Sequence, residues 1–153
     1  MIQMSADSTD KELYQKALDG IHKSNPNVSD VIQNLTVAKD MGNADAAYAL
    51  GTWYLYGKYV EKSVDKAINL LELAAQKNHP DALYDLAVCY ETGENIKKNE
   101  KIAFKLYMQA ALWGDKQSVY EVYRCYFHGI GIKKNKELSN IWYERAKYLG
   151  IEE

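Results

Sequence analysis

The chain predicts an all-α fold, a right-handed α-α superhelix (solenoid) of about four helix-turn-helix repeats of 36 residues. Three observations predict it. One unit recurs every 36 residues in the columns Ala46/Ala82/Ser118, Leu50/Leu86/Val122, Tyr54/Tyr90/Tyr126, Gly57/Gly93/Gly129 and Ala74/Ala110/Ala146. Such a period marks stacked units that bury their apolar faces against one another. Within a unit, Ala46, Leu50 and Tyr54 stand at i, i+4 and i+8, one face of a helix. Glycine or asparagine then stands where each helix has to stop.

These columns predict a single repeat domain over residues 1–153, with a degenerate unit at 8–43 followed by repeats at 44–79, 80–115 and 116–150. In the degenerate unit Leu13, Ala17 and Gly20 match the first helix, while Asn27, Ala38 and Gly42 match the second. Terminal units of a stack are atypical because one of their faces must meet water. In the next unit a first helix covers about residues 44 to 57 and ends at Gly57, a residue that accepts the left-handed conformation. Ser63, like Asn99 and Asn135 in its slot, can accept a backbone N–H bond and cap a second helix over about residues 64 to 77. That helix carries the ladder Ala67, Leu70, Leu71, Ala74, repeated as Ala103, Leu106, Tyr107, Ala110 and as Ser139, Trp142, Tyr143, Ala146. Its alanines let helices approach while its large residues fill the space between units. Asn78, Gly114 and Gly150 close the units. Tyr143, Tyr148 and Leu149 have no following helix to cover them, so they either fold back on the last hairpin or meet another chain.

A chain of 153 residues can bury roughly 68–70% of its unfolded surface, enough for a real core. Its formal charge of −2 gives no field that attracts a polyanion, which disfavours nucleic acid. No stretch approaches the roughly 18 apolar residues of a membrane span, and a cytoplasmic protein without membrane contact is expected. The abundance of Lys, Asn, Tyr and Ile points to an AT-rich bacterial genome. Cys89 and Cys125 lie one repeat apart; packed helices sit about 8–10 Å apart, beyond the roughly 7 Å reach of a disulfide, so free thiols are expected.

Catalytic signals are missing. The sequence has no phosphate loop, HExxH, GxSxG or CxxC pattern, and its histidines, His22, His79 and His128, are scattered. No catalytic residue, metal or cofactor is expected. Asp81, Asp85, Glu91 and Glu94 read as a solvated carboxylate face, and Lys97-Lys98 and Lys133-Lys134 either as lysines that keep loop tips soluble or as a site for phosphate or an acidic partner.

Ala44, Ala46, Leu50, Gly51, Tyr54, Gly57, Val60, Lys66, Ala67, Ala74 and Ala75 together form a recognisable pattern. The next unit keeps Ala82, Leu86, Tyr90, Gly93, Ile96, Ala103, Ala110, Ala111 and Gly114, and residues 128 to 150 read HGIGIKKNKELSNIWYERAKYLG. In these residues the chain resembles the Sel-1-like repeat (SLR) family, relatives of the tetratricopeptide repeat, over residues 44 to 150 and more loosely over 10 to 43. The resemblance implies an adaptor or regulatory role through protein contacts, with the matched positions serving as scaffold. Two departures stand out. The second glycine of the family's Gly-x-Gly turn is Tyr59 and Asn95 in two units and glycine only at Gly131, so turn geometry should vary between repeats. The family's Asp slot holds Ser63, Asn99 and Asn135, which keep a cap and lose a charge.

If Leu50 and Tyr54 point inward, the opposite face of the first helix carries Asp45, Tyr48, Thr52 and Leu55. One repeat on stand Asp81, Tyr84, Val88 and Glu91, and then Gln117, Tyr120, Arg124 and Phe127. First helices line the concave side of such solenoids. The candidate partner-binding residues are therefore Tyr48, Thr52, Leu55, Tyr56, Tyr84, Val88, Glu91, Tyr120, Arg124, Phe127 and His128, rich in types that favour binding hot spots. The column Tyr48, Tyr84, Tyr120 is open to two readings, packing between adjacent first helices or contact with a partner. Alanine at Arg124 and Phe127 is expected to abolish partner capture and leave the melting curve nearly unchanged. The functional expectation is a noncatalytic interaction module taking a protein or peptide in the concave groove, as a monomer or a weak homodimer through the C-terminal helix. The alternative is an immunity or antitoxin-like protein that occludes a cognate toxin.

Overall fold

Polar side chains and left-handed residues set the helix boundaries of this chain. The computed structural model describes residues 6 to 151, with side chains from residue 9 onward, and contains among them eight helices and no strand. They are α1 (Ala6–Ile21), α2 (Val28–Asp40), α3 (Ala44–Tyr56), α4 (Val64–Gln76), α5 (Pro80–Thr92), α6 (Glu100–Leu112), α7 (Lys116–His128) and α8 (Lys136–Tyr148). The two helices expected in the second unit match α3 and α4 to within a residue.

Every helix from α2 to α8 opens on a side chain that accepts a bond from the backbone N–H three residues on. Ser63, Asn99 and Asn135 do so as expected. Asn43, His79 and Asp115 form a second series at the same spacing, which the sequence reading passed over. Each such cap contributes about 1 kcal/mol. The first helices of the three full units end at Gly57, Gly93 and Gly129, with φ of 68°, 77° and 75°. Asn78, Gly114 and Gly150 close the units with φ of 60°, 99° and 79°.

Two glycine positions are set by their surroundings. Gly20 lies in the last turn of α1, which runs on to Ile21. A Cβ there would stand 3.0 Å from Val31 Cγ2, so the glycine serves the close approach of α2. At the Gly131 position the expectation of a turn geometry that varies between repeats is corrected: Tyr59, Asn95 and Gly131 all adopt the left-handed conformation, with φ of 65°, 67° and 69°. The reason is the bond that closes each loop, in which Ser63, Asn99 and Asn135 donate their N–H to the carbonyls of Tyr54, Tyr90 and Tyr126 at 3.0, 2.8 and 3.0 Å. This closure imposes one loop path on three different residues. Tyr59 is further held by its ring, which meets Trp53 edge-on at 4.8 Å.

The chain divides into two compact units, Met1–Lys77 and Asn78–Glu153. In the first, α1 pairs with α2 and α3 with α4, and α2 packs on α3. Its core gathers Ala17, Val31, Leu35, Ala38, Ala46 and Leu50, with Leu13, Trp53 and Leu70 packed around them. In the second, α5 pairs with α6 and α7 with α8, and α6 packs on α7. There Ala87, Ala103, Phe104, Tyr107, Val122 and Cys125 are buried together. Alanines at the crossing points have no exposed surface, while Leu35, Leu71 and Leu83 fill the interior, each contributing about 1.5–3 kcal/mol of transfer free energy. Both cysteines are free thiols, Cys125 buried and Cys89 half-buried. Among the described residues no helix is long and apolar enough to cross a membrane.

Candidate interaction surface

In the second unit the first-helix face is built around Arg124. Its Nε donates to Glu121 Oε2 at 2.7 Å, one turn back on α7, and its Nη2 bonds both carboxylate oxygens of Glu91 on α5, that to Oε2 being 2.6 Å long. Tyr107, from α6, donates its hydroxyl to Glu91 Oε2 at 3.4 Å. Burial alone would lower the Arg124 pKa, but its bonds to Glu91 and Glu121 outweigh that and raise it. Burial, reinforced by Glu91 and Glu121, raises Tyr107. Burial, with Glu121, Asp115 and Asp85, raises Tyr84 as well, against an opposing pull from Arg124. The arrangement corrects the reading of Glu91 as part of a solvated carboxylate face. It also revises the expected outcome at Arg124: its side chain is only 29% exposed and tied to two helices, so alanine there disturbs folding as well as any recognition.

Around this network lies a run of rings. Tyr84 meets Tyr107 edge-on at 5.9 Å; Tyr120 lies 5.3 Å from Tyr123, which lies 5.8 Å from Phe127 and 5.0 Å from Tyr143 of α8. Phe127 is 56% exposed and touches the exposed His128 ring at 4.9 Å. Val88 is half-buried against the core. Tyr84 and Tyr120 are half-buried too, each packing on a neighbouring ring. Glu121 and Tyr123 escaped the sequence reading. The signal for Glu121 was its place three residues before Arg124, and for the pair with Glu91 an offset of one repeat less one turn.

The first unit places Tyr48, Thr52 and Leu55 half-buried on α3 and leaves Tyr56 75% exposed at its end. Thr52 spends its hydroxyl on the Ala49 carbonyl at 2.8 Å. Other sequence candidates have structural roles. His79 Nδ1 accepts the Ala82 N–H at 3.3 Å and opens α5. A Cβ on Gly57, Gly93 or Gly129 would come within 3.0 to 3.2 Å of the side-chain stem of Lys62, Lys98 or Lys134, so these lysines cover the helix ends beneath their charged tips. Burial first of all pushes the Cys125 thiol up to about 12 and raises Cys89, the reverse of what a nucleophile needs.

A family model described as the Sel1 repeat matches residues 44–79, 80–115 and 124–151. The chain belongs to the Sel1 repeat family. Sel1 repeats are generally noncatalytic scaffolds that mediate contacts between proteins. A Sel1 repeat protein from Oxalobacter formigenes is 34% identical, with a TM-score of 0.76 over 79% of this chain and 91% of that one. The protein c5321, a protective antigen present in uropathogenic Escherichia coli strains and displaying an SLR fold, is 21% identical with a TM-score of 0.84, over 97% of this chain and 34% of its own. Immunity protein Pa5087 from Pseudomonas aeruginosa is 20% identical with a TM-score of 0.63, over 98% of this chain and 56% of its own. This Sel1 repeat chain thus spans about a third of c5321 and just over half of Pa5087, and at those identities the likeness is one of fold. No curated protein matches the chain.

Proposed function

We propose that this Sel1 repeat protein is a noncatalytic interaction module that binds a partner protein on the faces of its first helices. The observation that carries the reading is Phe127, a large exposed ring at the end of a ladder of half-buried tyrosines beside a charged network already satisfied within the protein. An aromatic anchor presented on a rigid, pre-paired surface loses little freedom on binding, which is the usual character of a hot spot. Tyr56 offers a similar anchor in the first unit. The test is affinity capture from the native host with the wild-type chain and with Phe127→Ala and Tyr56→Ala. A protein retained by the wild type and lost with a variant whose melting curve is unchanged supports the assignment; equal retention by all three removes it.

A second reading is occlusion of a cognate toxin, and its support is the fold shared with immunity protein Pa5087 over nearly the whole chain. It separates from the first by rescue. Expression of the chain should protect cells from the product of a neighbouring toxin-like reading frame, and Phe127→Ala should lose that protection. The chain works on either reading as a cytoplasmic monomer, or as a weak homodimer through its C-terminal helix.

A further inference from the structure

Away from the first-helix faces, the second unit contains an open groove of about 490 Å³ between α6, the start of α7 and α8. Leu112, Val119, Ile141 and Trp142 line it, and Leu112 and Ile141 are 74% and 62% exposed, which gives the groove an apolar wall open to solvent. One repeat earlier the corresponding positions are Asn78 and Gln109, whose side chains bond to each other at 2.6 Å. In the groove those two positions are Gly114 and Arg145. The bridge is gone: a Cβ on Gly114 would meet nothing within 4 Å. Arg145 contacts the Tyr148 ring at 5.5 Å, and neither it nor Lys116 is in an ion pair among the described residues. The one carboxylate of the lining, Asp115, is occupied by the N–H and hydroxyl of Ser118.

We infer that this groove receives a segment of a partner protein in which a large apolar side chain lies within one helical turn of a carboxylate. The volume falls in the range of about 300–1,000 Å³ typical of ligand pockets. Two cations without acidic partners supply the complementary charge, and an arginine fork is suited to hold a carboxylate through two parallel bonds. The surface is separate from the face of Phe127, so the two assignments stand or fall independently.

The test is selection from a random peptide library displayed on phage, panned against the whole chain. Enriched peptides should carry Asp or Glu within a turn of Leu, Ile, Phe or Trp. The tightest one, made synthetically and followed by fluorescence anisotropy, should lose about tenfold or more in affinity with Arg145→Glu. It should lose as much with the double variant Gly114→Asn/Arg145→Gln, which installs the bridge of the preceding repeat, and nothing with Phe127→Ala. Should the double variant fail to fold, Arg145→Glu, a change at an exposed position, still decides. Failure to enrich such peptides, or affinity indifferent to Arg145→Glu, overturns the inference. So does decanoate binding in the absence of any enriched acidic peptide, which makes the occupant a lipid-like acid. A dimer in sedimentation velocity that Arg145→Glu dissolves also overturns it, because the occupant is then a second copy.

Discussion

Arg124 shows how one side chain can tie a repeat to its successor, since it draws Glu91 of one hairpin and Glu121 of the next onto a single guanidinium. Because the group is partly solvated, Arg124→Ala should cost about 1–2 kcal/mol, between the values for an exposed pair and a buried charged hydrogen bond, as urea denaturation would measure. Ser139 makes the opposite prediction. It stands where Ala67 and Ala103 stand, is buried, and its Oγ has no hydrogen-bond partner. Ser139→Ala should therefore raise stability by about 1 kcal/mol. Cys125 predicts an alkaline limit. Its folded pKa of about 12 lies above the ordinary 9.0, so its neutral thiol favours the folded state fully below pH 9, and that contribution is lost as pH rises towards 12. Between those values Cys125→Ala should show a shallower fall in melting temperature than the wild type. The spacing made Arg124 a candidate, yet its partners were hidden, because reach across 33 residues depends on how two helices pack and not on the pattern of either.

At the level of elements, legibility followed the kind of force involved. Helix ends could be read because a cap is a local event: Ser63 or Asn99 needs only the backbone three residues on. The loops were misread for the same reason in reverse. Residue preference alone separates Tyr59 from Gly131, but the loop-closing bond to the preceding helix is strong enough to hold both in one conformation. What distinguishes Gly131 is crowding, since a Cβ there would stand 1.9 Å from the Glu100 carbonyl oxygen, whereas Gly114 faces open space. Gly131→Ala should cost about 2–4 kcal/mol from strain and overpacking together, against about 1 for Gly114→Ala, in parallel thermal melts.

At the scale of the molecule, the repeat is used with selective departures, and these separate scaffold from surface. Helix α6 buries Phe104 and Tyr107 in the core it shares with α7 and packs Met108 against it, whereas α8 carries Asn140, Tyr143 and Glu144 at the same positions. That face of α8 can therefore rest against water. Restoring the α6 residues with Asn140→Phe/Glu144→Met should convert it into an adhesive surface, seen as concentration-dependent association in sedimentation velocity. Seven successive helices, α2 to α8, each span 13 residues between caps. A lineage of such proteins can thus lengthen or shorten by whole hairpins without redesigning any joint, whereas loss of a single amino acid inside a helix would turn every later side chain of that helix away from its neighbour.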